Sequence, residues 1–222
     1  MSNRSGEVPR IYFKEHSELE DIAEKLVHNA CTTYGHKFPF DIEGYIWKNF
    51  KYRIQPTPNA EVSCNVDTAL IVCKKLIRID ERVYDKQYPR ARFSMAHEVG
   101  HLILHHNYLD FIQKKLKEAS MTDEFNRIIL SLPDKDSRRA EYQAQYIGGA
   151  ILAPKYKLKE VIKEFIQKNF SDQKGELLDE EQRDQLYTYV ASYFEMNKSA
   201  IITRIDRCEL SYLIDFYVKI EE

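Results

Sequence analysis

The chain lacks most of the features that would take it out of the ordinary globular class. It has no C-x-x-C pair: its 4 cysteines, Cys31, Cys64, Cys73 and Cys208, are scattered over 222 residues. A chain of this size can stabilise its core without covalent staples, so the cysteines read as thiols of a reducing compartment rather than as two disulfides. It has no long apolar run. Ala69–Cys73 and Tyr146–Pro154 are far too short to span a bilayer, and Met1–Arg10 has no apolar stretch of the kind a secretory signal needs. Charge of one sign is not in excess either: 33 Lys+Arg face 35 Asp+Glu, a net charge of -2. That balance removes any bulk electrostatic reason to bind nucleic acid or an anionic membrane. Internal repeats and low-complexity tracts are missing as well. The expectation is a cytoplasmic globular protein without membrane attachment.

What is present is periodicity of two kinds. Leu19, Ile22, Ala23, Leu26, Val27 and Ala30 recur at helical spacing, and Ser17 with Glu20 has the form of a capping box, so residues 17–31 read as a helix. Pro39–Phe50 reads as a second helix, with Asp41 as N-cap and Ile42, Tyr45, Ile46 and Phe50 facing inward. Between Tyr52 and Asp80 the texture changes. Lys51–Gln55, Ala69–Cys73 and Leu76–Asp80 are short and rich in β-branched residues, with Pro56, Pro58 and Asn59 as punctuation. This suits a small antiparallel sheet. From Pro89 the helical period returns and continues, with interruptions, to the C-terminus. Strands followed by helices without alternation argue for an α+β architecture. Pro154 should end one helix and open the next. Ser171–Glu176, with Gly175, is the best linker candidate, and Leu186–Phe194 and Ser199–Cys208 form a potential helix pair. The domain expectation is a unit over 1–170 and a helical, helix-turn-helix-like segment over 171–222.

One segment carries chemistry: His97-Glu98-Val99-Gly100-His101. On a helix, histidines four apart lie on one face about one turn apart, so two imidazole nitrogens can reach a single cation. Glu98 is rotated away from that line, which suits a base beside a metal better than a ligand on it. Its task would be to accept a proton from water that the metal has acidified. With 7 His in 222 residues, the H-E-x-x-H pattern is expected by chance only about 0.02 times. Phe93, Met95, Ala96, Val99, Leu102 and Ile103 supply apolar flanks, and Gly100 costs helix stability, so it asks for a packing reason.

A catalytic zinc site needs a third protein ligand. The metzincin extension would place Gly at 104 and His at 107, but those positions hold Leu104 and Asn107. His105 and His106 lie so near on the same helix that a tetrahedron would be strained. A later carboxylate is the other option: Glu118, Glu124 or Glu141, with Asp110, Asp134 and Asp136 less suited by reach. Glu141 has the best context, since Ala144, Gly148, Gly149 and Ala150 would let its helix approach another closely. A solvent-facing carboxylate is nevertheless the ordinary state of any glutamate, and residue chemistry alone leaves the choice open.

Arg92-Phe93-Ser94-Met95-Ala96-His97-Glu98-Val99-Gly100-His101-Leu102-Ile103-Leu104-His105 resembles the zinc-helix signature of the ImmA/IrrE metallopeptidase family. Glu141-x-x-Ala144-x-Tyr146, running to Ile151-Leu152-Ala153-Pro154, is similar to that family's second motif, with Gln145 and Gly149 as departures from its usual residues. Leu76–Asp80 and Tyr189–Leu210 resemble the family's flanking segments. The resemblance implies a zincin-like α+β fold, His97, His101 and Glu141 as ligands of Zn2+ in a gluzincin-like set, and Glu98 as catalytic base. Mn2+ or Fe2+ could fill the same donors. It also implies the partner, a helix-turn-helix transcriptional repressor cleaved in the cytoplasm.

Two other readings compete. Leu186–Cys208 can be read as a DNA-binding or interaction module, but Lys198, Arg204 and Arg207 are offset by Asp206 and Glu209, which disfavours direct DNA binding. A structural or sensory metal is the other, although two histidines and one carboxylate leave a coordination position open. His105, His106, Tyr142 and Tyr146 are candidates by proximity for stabilising an oxyanion.

Overall fold

The computed structural model describes residues 9–59, 67–118, 134–170 and 178–215. Cys64, Glu124 and the expected linker Ser171–Glu176 lie outside the described residues.

Helix α1 (His16–Tyr34) buries Leu19, Ala23, Val27 and Ala30, the stripe its spacing predicts, and ends at Gly35, whose φ of 67° closes the helix in the left-handed region. The capping box at Ser17 and Glu20 is not formed. The helix starts one residue earlier, after Glu15, without a side-chain cap. Glu20 is instead buried against the Arg204 guanidinium, 2.6 Å from Nη1. A tertiary charge pair has overridden a local signal. Helix α2 (Ile42–Phe50) follows the expectation: Asp41 accepts from the Gly44 N–H at 2.9 Å, and Ile42, Tyr45 and Ile46 are buried.

Three strands follow: β1 (Arg53–Thr57), β2 (Thr68–Ile71) and β3 (Leu76–Asp80). The order is β1-β3-β2, with β2 antiparallel to β3 but β1 parallel to it. The sheet is therefore small, as expected, and mixed rather than purely antiparallel. A tight turn through Val72–Lys75 makes β2–β3 a hairpin, whereas β1 runs alongside β3 on its other edge. Pro56 stands inside β1 rather than beyond it. An edge strand tolerates proline because one row of its backbone groups has no ladder partner. Central β3 buries Ile77 and Ile79, and its last residue, Asp80, caps the short helix α3 (Glu81–Lys86) by accepting from Arg82 and Val83 N–H.

The remainder is helical: α4 (Tyr88–Leu104), α5 (His106–Glu118), α6 (Asp134–Leu152), α7 (Lys155–Phe170), α8 (Glu180–Phe194), α9 (Lys198–Arg207) and the turn α10 (Tyr212–Asp215). Pro89 sits in the first turn of α4, and Pro154 separates α6 from α7. The α+β class with a helical C-terminal part holds. Helix α6 lies between α4 and α1. Met95 and Val99 of α4, Ile147 and Ile151 of α6, Val27 of α1, and Val190, Phe194 and Ile201 of α8 and α9 share one apolar core. Arg92 of α4 is buried there, donating to the Phe40 carbonyl at 3.0 Å and pairing with Glu195 at 3.1 Å. Among the described residues no helix is long and apolar enough to cross a membrane.

Candidate metal centre

The site forms where α4 and α6 touch, and glycine makes that contact possible. A Cβ on Gly100 would stand 2.7 Å from the Ala144 carbonyl oxygen and 2.8 Å from its Cα. A Cβ on Gly148 would stand 2.9 Å from the His97 nitrogen. Neither pair of backbone atoms could retreat without moving a helix. The packing reason that Gly100 asked for is thus α6, whose Ala144 and Gly148 face α4 while Gly149 lies against Arg204. Backbone contact at two levels sets the axial register of the helices, and with it the position of Glu141 over the histidines.

His97 and His101 project from the same face of α4, with their Nε2 atoms 3.0 Å apart. Glu141 reaches over from α6, Oε2 lying 3.2 Å from His97 Nε2 and Oε1 lying 3.4 Å from His101 Nε2. Among the described residues these three form the one group of His, Cys, Asp or Glu side chains convergent enough to hold a metal ion. Four donors around Zn2+ at about 2.0–2.1 Å would stand about 3.3 Å apart. The observed separations match that edge length, so the donors fit a divalent cation in number, type and spacing. His101 is buried, His97 half-buried and Glu141 exposed, which leaves the carboxylate side approachable.

Electrostatics keeps Glu141 in the anionic form that such a cation needs, while the metal-free site also holds His97 more basic than usual. The Glu141 carboxyl is held far below the usual carboxylate range, first by hydrogen bonding to His101 and then to His97. For His97, burial pulls the imidazole down, but the hydrogen bond to Glu141 and the charges of Glu98 and Glu141 outweigh it and raise the value. An anion facing two imidazoles is the arrangement a divalent cation would complete.

Glu98 is buried between His97 and the edge of the sheet. Thr68, the first residue of edge strand β2, donates its hydroxyl to Glu98 Oε1 at 2.7 Å. The strand is tied to α4 by Asp67, whose two carboxylate oxygens accept from Arg90 Nε and Nη2, each at 2.6 Å. Sequence reasoning missed Thr68, since only strand placement brings it to Glu98.

The other candidates part company. Asp136 pairs with Arg139 of its own helix, Asp110 is exposed, and the side chains of Glu118 and Asp134 lie outside the described residues. His105 is buried, its Nδ1 3.1 Å from His101 Nδ1 and its Nε2 3.1 Å from Gln143 Oε1, and burial lowers its pKa to about 4. It is a neutral ring behind His101. Tyr142 bonds His16 at 2.6 Å, and Tyr146 is buried with Arg204 and Arg207 against its ring, while His106 is exposed. Half-buried Tyr108, which no motif indicated, has its phenol pushed up to about 12 by burial and then by the charge of Glu141.

A family model described as Peptidase_M78, IrrE N-terminal-like domain, matches residues 64–206. Among curated proteins there is no significant match. Among solved structures, a Mycobacterium tuberculosis transcriptional regulator superposes with a TM-score of 0.52 over 85% of this chain, at 12% identity. At that identity the likeness is one of fold. The aligned region covers 46% of the regulator, so the chain spans less than half of that protein's length.

Proposed function

Since the chain belongs to the IrrE N-terminal-like peptidase family, we propose that it is a zinc-dependent endopeptidase with His97, His101 and Glu141 as metal ligands and Glu98 as general base. The observation that carries this reading is the convergence of three donor side chains, from two helices locked by backbone contact, with ring nitrogens and carboxylate oxygens 3.0 to 3.4 Å apart. When bound, the cation supplies Lewis acidity to a water and to a carbonyl oxygen. The chain's own residues do the rest. Thr68 holds Glu98 Oε1, which orients the carboxylate so that Oε2 takes the proton from water and passes it to the departing amide nitrogen. Among the described residues β2 pairs only with β3. An extended substrate segment pairing with its other edge would run past Glu98.

The substrate in this proposal is a protein, specifically a helix-turn-helix transcriptional repressor, cut in the cytoplasm. The C-terminal helix pair favours a structural or substrate-docking role over DNA contact. Of the three basic groups on α9, Arg204 is 2% exposed and bound to Glu20, Lys198 pairs with Asp184, and Arg207 lies over the Tyr142 and Tyr146 rings. None is presented in the manner of a recognition helix.

Glu98→Gln tests the chemistry. It should retain metal at the parent stoichiometry while a co-expressed repressor substrate stays intact. Cleavage at the parent rate would remove Glu98 from the mechanism. Metal analysis tests the site: the parent should carry one divalent ion per chain and His97→Ala should carry little. An ion-free parent, or full occupancy in the variant, would overturn the assignment.

A further inference from the structure

Parallel pairing of β1 with β3 puts the starts of both strands at one end of the sheet. Each is entered through a turn that ends in lysine. Lys51 closes α2, Lys75 closes the turn Val72–Lys74, and the Arg53 N–H donates to the Lys75 carbonyl at 2.9 Å. Lys51, Arg53, Lys74 and Lys75 therefore gather at one corner, all exposed, with exposed Arg78 farther along β3. Among the described residues none of these five forms an ion pair. Lys51 Nζ lies 5.8 Å from the centre of the exposed Trp47 ring, a contact that leaves its charge in place. The two entry lysines are also strained. Lys51 has a φ of 60° and Lys75 a φ of 47°, in the left-handed region that a Cβ disfavours and glycine does not. A helix end such as that of α2 commonly takes glycine there. Glu195 occupies the same region at the end of α8, but it has Arg92 as an ion partner. Nothing of that kind inside the described fold accounts for the lysines.

We propose that this corner docks an acidic segment of the protein substrate, a few residues away from the bond that is cut. The corner is continuous with the free edge of β2. Thr68, at the start of that strand, holds Glu98, and Lys74 and Lys75 follow shortly after its end at Ile71. At about 3.3 Å per residue, a segment lying along β2 travels about 10 Å from Thr68 to the turn. That the acidic segment belongs to the substrate rests on the reading of β2 as the edge along which the substrate lies. Charge complementarity selects the occupant, because exposed cations without intramolecular partners draw carboxylates. A nucleic acid would meet the same cations. Against it stand the chain's net charge of -2, which opposes a long polyanion, and the strand edge, which guides a peptide rather than a phosphate backbone.

Fluorescence anisotropy of the full-length, zinc-loaded Glu98→Gln protein provides the test, since that variant should not consume a peptide probe. A short labelled peptide of alternating Glu and Ser should bind about tenfold more tightly than one of Gln and Ser. About 1 M salt should abolish the difference. Lys51→Gly combined with Lys75→Gly should weaken the acidic peptide about 3–10-fold. Its melting temperature should stay at or above the parent value, because glycine relieves the left-handed strain. Lys159→Gln with Lys168→Gln removes the same charge from α7 and should bind as the parent does. Equal binding of the two peptides, or equal losses in the α7 control, would reduce the attraction to bulk charge and overturn the proposal. So would a lower melting temperature in the glycine variant, which would return the lysines to the fold. An oligothymidylate that binds more tightly than the acidic peptide, and is lost in the same variant, would assign the corner to nucleic acid instead. In repressor cleavage by the otherwise unaltered protein, the glycine pair should raise KM and leave kcat near the parent value; an unchanged KM would take the docked segment away from the substrate. Peptide binding by a protein that cuts no repressor would end the peptidase reading and, with it, the assignment of the segment to a substrate. Cleavage without peptide binding would end the docking proposal alone.

Discussion

Two junctions in this molecule join helices by opposite means. At the α4–α6 seam, Gly100 and Gly148 bring backbone against backbone. Where α9 meets α1, side chains do the joining: Arg204 reaches Glu20 through Nη1 and Nη2 and also donates to the Ala153 carbonyl. The seam fixes helix positions to a fraction of an ångström because nothing flexible lies between the main chains. The Arg204 junction spans a wider gap, and its stability depends on charges that are buried only because they are paired. The candidate catalytic groups sit at the rigid junction, where three donors must keep a common centre.

That contrast can be broken from either side. The largest loss is expected at the charged junction. Arg204→Ala should destabilise the fold by about 3–5 kcal/mol, because Glu20 would be left buried without its partner. Combining Arg204→Met with Glu20→Leu should recover most of that in chemical denaturation, whereas equal losses would mean that the arginine acts by packing alone. At the seam, Gly100→Ala should cost about 1–3 kcal/mol through overpacking. It should also lower metal content, since parting the helices withdraws Glu141 from His97. Metal retained at the parent level after a loss of that size would separate seam geometry from site geometry.

A smaller effect belongs to the site without the seam. Thr68→Val should leave stability and metal content near parent values but reduce the cleavage rate about tenfold, near 1.4 kcal/mol, with Thr68→Ser close to parent. An unchanged rate would release Thr68 from its role. Smallest of all, Asp41→Ala removes the α2 cap bond, far along the chain from both junctions, and should cost about 1 kcal/mol in thermal unfolding with no change in metal content.

Local patterns carried a good part of this. His97 and His101 are four apart on one helix, and a helix of any tertiary setting puts them on one face. Asp41 capped α2 and Pro154 divided α6 from α7 because both act within a few residues of themselves. The strands were legible as β-rich segments, but their order was not, since the pairing of β1 with β3 depends on how the chain between them is routed. Glu20 was misread for a similar reason: a capping box is worth less than neutralising a buried guanidinium from the far end of the chain. Thr68, Gln143 and Tyr108 carried no signal at all. Each matters through a neighbour brought to it by folding, and no period or spacing encodes that neighbour.

The line between the two kinds of information runs through the candidate centre itself. Composition favoured free thiols over a disulfide scaffold and gave no bulk electrostatic reason to bind a polyanion, and helical spacing put Glu98 beside two imidazoles on one turn of chain. Which carboxylate would join them was open to residue chemistry, with Glu141 marked by small neighbours and by resemblance. Its arrival within 3.2 Å of His97 depends on two glycines from different helices meeting each other's backbone. Short-range geometry is written in covalent connectivity and helix pitch. The distance between helices is set by packing, and packing exists only once the whole chain has folded.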